Sequence, residues 1–170
     1  MKILKELSSY LLIIVIVVLI RVFIATPVRV NGASMEPTLD EGDILILNKI
    51  NSNYKRFDIV VINKVVNGEK TKLVKRIIGL PGETIEYKDN ILYINDEEIE
   101  DKAIYRTGNF TLKGLYNVNE IPDNYYFVMG DNRGKSSDSR DYNIGLIKKS
   151  EIAGTVKFRL YPFNKIGIFH

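Results

Sequence analysis

The 170-residue sequence contains no cysteine, and its only histidine is His170, the last residue. Without cysteine, the chain cannot use thiol catalysis, a disulfide framework or a thiolate zinc site. A Ser-His-Asp triad or a His-ligated metal is also disfavoured, because chain termini usually fray and the sequence offers no second histidine. Acid–base chemistry must therefore come from Lys, Asp, Glu or Tyr.

The sequence also lacks a large excess of positive or negative charge. The 24 basic and 21 acidic residues leave a formal net charge of +3. This excess is too small to indicate a nucleic-acid groove, so we predict no nucleic-acid partner. The length fits one domain, with roughly 140 residues left once an apolar N-terminal segment is set aside.

That apolar segment runs over residues 7–25. About 18 residues at a rise of 1.5 Å reach roughly 27 Å, close to the thickness of a bilayer core. Lys2 and Lys5 precede the run and predict a cytoplasmic N-terminus. We therefore predict a single-pass anchor in the cell membrane over residues 1–26 and an extracytoplasmic domain over residues 27–170.

A cleaved secretory signal is the alternative interpretation of the same run. Residues 26–30 offer no small-x-small cleavage site, and cleavage at Ala33 would cut beside the serine considered below. We therefore favour a retained anchor.

Beyond Pro27 the hydrophobic periodicity changes from helical to strand-like. Short polar strands follow one another over residues 83–119, with a turn at residues 95–98, and carry none of the chemistry identified below. The predicted fold is mostly β, a transmembrane helix followed by an antiparallel β catalytic domain with residues 83–119 as a smaller β insertion. The strands predicted for the catalytic domain cover residues 43–48, 57–62, 72–78, 125–129 and 152–161, and the second and third form a hairpin.

Ser34 is the best candidate for a nucleophile. It lies in the stretch Asn-Gly-Ala-Ser-Met-Glu-Pro-Thr-Leu at residues 31–39, whose glycine and proline oppose regular helix. Most serines of this kind cap turns or face water. Lys75 strengthens the hypothesis, since it lies within the apolar strand at residues 72–78. The alternative role for Lys75 is an edge-strand lysine that discourages aggregation.

A lysine base needs a lowered pKa, because an ordinary lysine near 10.4 is protonated at pH 7. Burial against aliphatic side chains lowers the pKa, by roughly 3 units or more in documented cases. A neutral lysine can then take the proton of a serine hydroxyl. Arginine cannot replace it, because the guanidinium group does not lose its proton.

Residues 130–141 form a polar stretch that has the composition of a solvated loop with internal ion pairs. Its Gly-Lys-Ser at residues 134–136 lacks the first glycine of a phosphate-binding loop, because that position is Met129. Ser52 and Lys55 match the S-x-x-K spacing of penicillin-binding enzymes, but the companion motifs and a helical context are missing. We discount both alternatives.

Four motifs stand in a fixed order behind the apolar segment. They are Ser-Met-Glu-Pro-Thr-Leu at 34–39, Gly-Asp-Ile-Leu at 42–45, Lys-Arg-Ile-Ile-Gly-Leu-Pro-Gly at 75–82, and Gly-Asp-Asn-Arg at 130–133 continuing to Ser136, Asp138, Ser139 and Arg140. Together they strongly resemble bacterial type I signal peptidases, in the short form typical of Gram-positive bacteria. Any one of the motifs alone would be weak.

The resemblance implies a membrane-bound serine endopeptidase that removes signal peptides after a small-x-small motif. Ser34 would be the nucleophile and Lys75 the general base, with the backbone N–H of Ser34 as one oxyanion donor. Some relatives supply a second donor from a serine at the position of Gly32, so that donor is not identified here. The supporting residues implied are Ser136, which orients the amine, the ion-pairing residues Asp131, Asp138 and Arg140, and Arg76 next to the base.

The implied substrate pockets are apolar, as a preference for small side chains requires. They correspond to Val30, Met35, Leu39, Leu45, Leu73 and Val74. The implied partners are signal peptides of exported preproteins, the lipid bilayer and, transiently, the secretion machinery. No metal or nucleotide cofactor is implied.

Two other functions remain open from the residues alone. Self-cleaving repressors share a Ser-Lys dyad, although the apolar segment and the lack of a helix-turn-helix pattern argue against that class. The second alternative is a non-catalytic, membrane-tethered β module that presents a strand edge for binding.

Overall fold

A computed structural model describes residues 2–50, 52–101, 103 and 105–169. His170, set aside above as a terminal residue, lies outside this range. Its helices are α1 (Lys2–Phe23) and α2 (Leu112–Tyr116), with short 3-10 turns at Lys149–Glu151 and Phe163–Lys165. Its strands are β1 (Ala25–Arg29), β2 (Ile44–Asn48), β3 (Ile59–Val66), β4 (Glu69–Gly79), β5 (Ile85–Lys88), β6 (Ile91–Ile94), β7 (Glu97–Ile99), β8 (Phe110–Thr111), β9 (Tyr125–Met129), β10 (Ile147–Lys148), β11 (Ile152–Tyr161) and β12 (Gly167–Ile168).

An 8-stranded antiparallel sheet forms the body of the molecule, in the order β1-β2-β11-β3-β4-β9-β10, with β12 paired to β11. The predicted mostly antiparallel β fold is confirmed. The predicted hairpin is β3–β4, which pairs from Ile59 opposite Arg76 to Val66 opposite Glu69. Its β-branched residues are buried near the base of the hairpin, while the tip around Asn67 is exposed and polar.

A 4-stranded sheet in the order β7-β6-β5-β8 occupies most of the segment predicted as a β insertion. The turn predicted at residues 95–98 is wrong in its second half, because Glu97 already begins β7. The turn is confined to Asn95 and Asp96, which both adopt positive φ, 52° and 65°. Two such residues make the tight turn whose twist matches a hairpin.

The small sheet packs on the large one through a shared apolar cluster. Ile78 of β4 and Phe127 and Met129 of β9 meet Tyr87 and Leu92 of the small sheet, all of them nearly or fully buried. The insertion is therefore held to the strand pair β4–β9, which also carries the candidate base.

Helix α1 precedes β1 almost without a connection. Ala25 already belongs to β1, so the change from helix to strand falls at Ile24, ahead of Pro27. Apolar side chains of α1 such as Leu11 and Val17 are more than half exposed. Within the described residues, no helix combines the length and apolarity needed to cross a membrane.

Candidate active site

Ser34 lies in the irregular turn between β1 and β2. Met35 and Leu39, which follow Ser34 in this turn, are fully buried, and the N–H of Leu39 donates to the carbonyl of Met35 at 2.9 Å. The carbonyl of Ser34 accepts a hydrogen bond from the N–H of Asn132 at 3.0 Å. Ser34 is half-buried and lines a groove, so it remains accessible to a bound substrate.

Lys75 lies on β4 opposite Val60 of β3 and is only 3% exposed. Within the described part of the chain its amine forms no salt bridge. Burial lowers the pKa of Lys75 to about 8; Asp138 and Asp131 oppose this shift, and Arg140 adds to it. At that pKa roughly a tenth of the amine is neutral at pH 7, far more than for an exposed lysine.

The neighbouring cation, Arg76, is equally buried but fully paired. Its Nε and Nη2 donate to the two carboxylate oxygens of Asp131 at 2.8 and 2.7 Å, and its Nη1 donates to the carbonyl of Phe57 at 2.9 Å. The hydroxyl of Thr38 donates to the same carboxylate at 2.6 Å. This pair therefore ties β4, the 130–140 loop and the turn that carries the serine into one buried network.

Asp138 and Arg140 form the second ion pair of the 130–140 loop. Arg140 donates to both carboxylate oxygens at 2.8 Å, and the N–H of Gly130 donates to Asp138 Oδ2 at 3.0 Å. Burial acts to raise the pKa of Asp138, but the contacts with Arg140, Gly130 and Ser136 outweigh it and hold that pKa below its usual value.

Ser136 and Gly130 bring the loop against the serine turn. The hydroxyl oxygen of Ser136 is buried and has no hydrogen bond of normal geometry in the described part of the chain, although it lies close to Asp138. A Cβ on Gly130 would lie 2.3 Å from that oxygen and 2.4 Å from the carbonyl oxygen of Ser34. Only glycine allows this approach of the two segments.

Arg133 belongs to the fourth motif, but no role for it was identified from the sequence. Arg133, whose side chain is 1% exposed, donates to the hydroxyls of Tyr87 and Thr107 at 2.7 and 2.8 Å and pairs with Asp101 at 2.7 Å. Its Nε also donates to the carbonyl of Gly130 at 3.1 Å. The partners come from the insertion, which sequence reasoning had separated from the chemistry, and no spacing signal links them to Arg133.

Ser34 and Lys75 line the same groove, which has a volume of about 310 Å³. Of the predicted pocket residues, Val30, Leu73 and Val74 line it. Met35, Leu39 and Leu45 do not; they are fully buried in the core cluster beneath it. The lining residues not predicted are Pro27, Val28, Arg29, Asn31, Val61 and Lys72.

Free strand edges border the groove on two sides. β1 pairs with β2 alone, and β9 pairs with β4 only from Arg76 onward, as far as the described residues extend. The first part of β4 and the outer side of β1 therefore present unpaired backbone groups beside Ser34 and Lys75. Such edges can accept an extended peptide as an added strand.

The chain matches known proteins over most of its length. A family model described as signal peptidase, peptidase S26, covers residues 3–161. Signal peptidase I of Bacillus amyloliquefaciens is 42% identical over 168 residues, which are 94% of this chain and 88% of that protein. The chain belongs to the signal peptidase family. The resemblance drawn from the four motifs is confirmed.

Other signal peptidases support the same assignment. Signal peptidase I of Streptococcus pneumoniae is 38% identical over 202 residues, covering 98% of this chain and 97% of that protein. A crystal structure of a signal peptidase I from Enterococcus faecalis is 34% identical, with a TM-score of 0.53, and covers 61% of this chain and 96% of its own. The family and its β architecture thus agree with the fold described above.

In this signal peptidase, a hydroxyl and a low-pKa amine share one apolar-floored groove. A serine is a weak nucleophile unless a base takes its proton, and neutral lysine is such a base. The arrangement is therefore suited to acyl transfer from a bound peptide carbonyl.

Proposed function

We propose that this chain is a membrane-bound serine endopeptidase that cleaves signal peptides from exported preproteins after a small-x-small motif. The observation that carries the proposal is the groove shared by Ser34 and the buried Lys75, whose pKa is lowered to about 8 without a paired carboxylate. Family membership supports the reaction class, and the groove supplies the chemistry.

The reaction begins with proton transfer from Ser34 Oγ to the neutral Nζ of Lys75. The Oγ attacks the scissile carbonyl, and the backbone N–H of Ser34 stabilises the oxyanion. Lys75 then returns the proton to the leaving amine, which departs as the new N-terminus of the mature protein. Water, deprotonated by Lys75 Nζ, then attacks the acyl carbonyl. The bond to Ser34 Oγ breaks, Lys75 returns the proton to Ser34, and the signal peptide leaves with a new C-terminal carboxylate.

Ser136 orients the lysine amine in this mechanism. Its buried hydroxyl oxygen, which has no hydrogen bond of normal geometry in the described residues, is free to accept from or donate to the amine. Asp138 and Arg140 hold the backbone of the same loop, and Asp131 with Arg76 holds the serine turn against it. These four residues act through position and do not touch the substrate.

Substrate binds as an extended strand along the free edges of β1 and β4. Val30 and Val74 form an apolar floor that accepts small side chains, with Leu73 beside them. Met35, Leu39 and Leu45 support this floor from the core cluster below it. The order small-x-small follows because alternate residues of an extended peptide face the floor.

The apolar N-terminal segment, most of which lies in α1, anchors the enzyme in the cell membrane with its N-terminus in the cytoplasm and residues 27–170 on the extracytoplasmic face. Lys2 and Lys5 set this orientation. Anchoring confines enzyme and membrane-held preprotein to one surface and raises their effective concentration. Lipid and, transiently, the secretion machinery are then its partners.

The test is cleavage of a preprotein by purified enzyme, with the N-terminus of the product sequenced. Ser34→Ala and Lys75→Arg should each lose nearly all turnover, with Ser34→Ala unfolding at the parent's temperature and Lys75→Arg still folded at the assay temperature. Ser52→Ala and Lys55→Arg, which alter the discounted S-x-x-K pair, serve as matched controls and should cleave like the parent. Normal cleavage by the Ser34 or Lys75 variant would overturn the assignment of that residue.

A further inference from the structure

The rim of the groove carries unpaired positive charge. Arg29 and Lys72 line it from β1 and β4, and no Asp or Glu is among the lining residues. Both side chains are exposed, and neither takes part in a salt bridge within the described part of the chain.

Nearby carboxylates do not neutralise this rim. In the turn that follows Leu39, Asp43 pairs with Arg159 at 3.0 Å, and Asp40 pairs with Lys165. Glu41 in the same turn forms no salt bridge with Arg29. The two rim cations therefore act on whatever occupies the groove.

The alternation of side chains along a strand decides which substrate residues meet these cations. Val28 and Val30 are buried or half-buried while Arg29 between them is exposed, so the floor and the rim alternate along this edge. An extended substrate alternates in the same way. Its small side chains face the floor, and the side chains between them point outward toward Arg29. Lys72 shares a face of β4 with Val74 and lies exposed at the edge of the floor.

We propose that Arg29 and Lys72 form a charge-selective rim that favours preproteins with an acidic side chain at the outward positions around the cleavage site and disfavours those with Lys or Arg there. The inference rests on the proposed function and adds a substrate preference that the apolar floor cannot provide. Each exposed ion pair contributes about a twofold to fivefold preference. The preference weakens with salt, because exposed charges are screened.

The experiment uses the full chain and matched signal-peptide substrates with Asp, Asn or Lys at the outward positions −4, −2 and +1 from the cleavage site. We expect kcat/KM in the order Asp, Asn, Lys for at least one outward position, with about threefold between steps at low salt. Arg29→Gln combined with Lys72→Gln should remove this order, and the double Glu variant should reverse it. Lys70→Gln, on the same hairpin but outside the groove, should retain both the order and the rate.

Binding of the same peptides to Ser34→Ala gives a readout that does not depend on turnover. Dissociation constants should follow the same order and lose it in the double Gln variant. Equal kcat/KM for Asp and Lys substrates at every position, or an order that survives the double Gln variant, would overturn the inference. A parent that cleaves none of the substrates, while Ser34→Ala still binds them in the expected order, would instead overturn the proposed function.

Discussion

Lys75 and Arg76 are adjacent on β4 and equally buried, yet of the two only Arg76 forms a salt bridge within the described residues. Arg76 is held by both oxygens of Asp131 and by the carbonyl of Phe57, because a guanidinium group stays charged and must be paired when buried. Lys75 forms no salt bridge in the described residues, and burial lowers its pKa to about 8. A buried amine avoids the desolvation cost of its charge by losing its proton, and the neutral amine can then act as a base.

The pH dependence of cleavage tests whether Lys75 acts as the base. Only neutral Lys75 can accept the proton of Ser34, so kcat/KM should rise about tenfold per pH unit below the pKa and level off above about pH 8. The measurement is peptide cleavage from pH 6 to 10. A flat profile, or a midpoint near the ordinary lysine value of 10.5, would contradict a buried lysine base.

The pH dependence of the free energy of unfolding tests the lowered pKa of Lys75 independently of catalysis. The unfolded chain keeps the Lys75 proton up to about pH 10.5 and the folded chain only up to about 8, so the parent gains stability as pH rises between these values. Lys75→Met should be more stable than the parent by about 3 kcal/mol at pH 7, with the gap closing by pH 10.5. Urea unfolding measures this, and Lys72→Met, at an exposed position, is the control. A gap that is constant with pH would argue against the lowered pKa.

Gly130 lies where the 130–140 loop and the serine turn are in close contact. A Cβ there would fall 2.4 Å from the carbonyl oxygen of Ser34, so Gly130→Ala must push the serine turn away from the loop. We expect at least a 100-fold loss of kcat, as displacements of about 1 Å in a catalytic group produce. Gly134→Ala is a matched control, because a Cβ at Gly134 has nothing within 4 Å. Equal rates for the two variants would refute the steric argument.

At the scale of elements, the segment of the small sheet supports the 130–140 loop beside the candidate site. Arg133 lies in that loop, but its carboxylate and hydroxyl partners lie in the segment of the small sheet. Because Arg133 also donates to the carbonyl of Gly130, the insertion fixes the start of the loop that carries Ser136 and Asp138. The 4-stranded sheet is therefore part of the support of the site, although it contributes no residue to the groove.

Asp101→Asn tests this support. Arg133 would remain buried without a charged partner, which should destabilise the protein by about 3 kcal/mol and increase amide exchange over residues 130–140. Glu98→Gln, at an exposed position of β7, should change neither property. Unchanged exchange in the loop of Asp101→Asn would show that the insertion does not hold it.

At the scale of the whole molecule, a curved sheet brings distant segments together. β1 and β4 are separated in the sheet by β2, β11 and β3, yet both line one groove. β1 follows α1 directly, so the helix leads straight to the wall of the groove. An anchored helix would thereby hold the groove close to the membrane surface from which a preprotein emerges.

Membrane association of the full chain tests the proposed anchor. The parent should remain in the membrane fraction after alkaline extraction, and Val15→Asp with Val18→Asp should shift it to the soluble fraction. Each charge at the centre of a span costs about 3 kcal/mol on insertion scales. Leu7→Asp, near the beginning of the apolar run, should have a much smaller effect. A parent that is soluble under these conditions would contradict the anchor.

Five of the eight strands of the large sheet and the order of the motifs that identify the family were predictable from the sequence, because periodicity and motif spacing are local properties of a chain; β1, β10 and β12 were not predicted. The sequence also singled out Ser34 and Lys75, because no cysteine and no internal histidine left other chemistry available. Only the tertiary structure decided which apolar residues reach the groove: Val30 and Val74 line it, whereas Leu45, equally apolar, lies beneath it. It alone paired Arg133 with Asp101 and placed Arg29 across from Lys72, since contacts between distant residues depend on how a sheet curves and carry no signature in spacing.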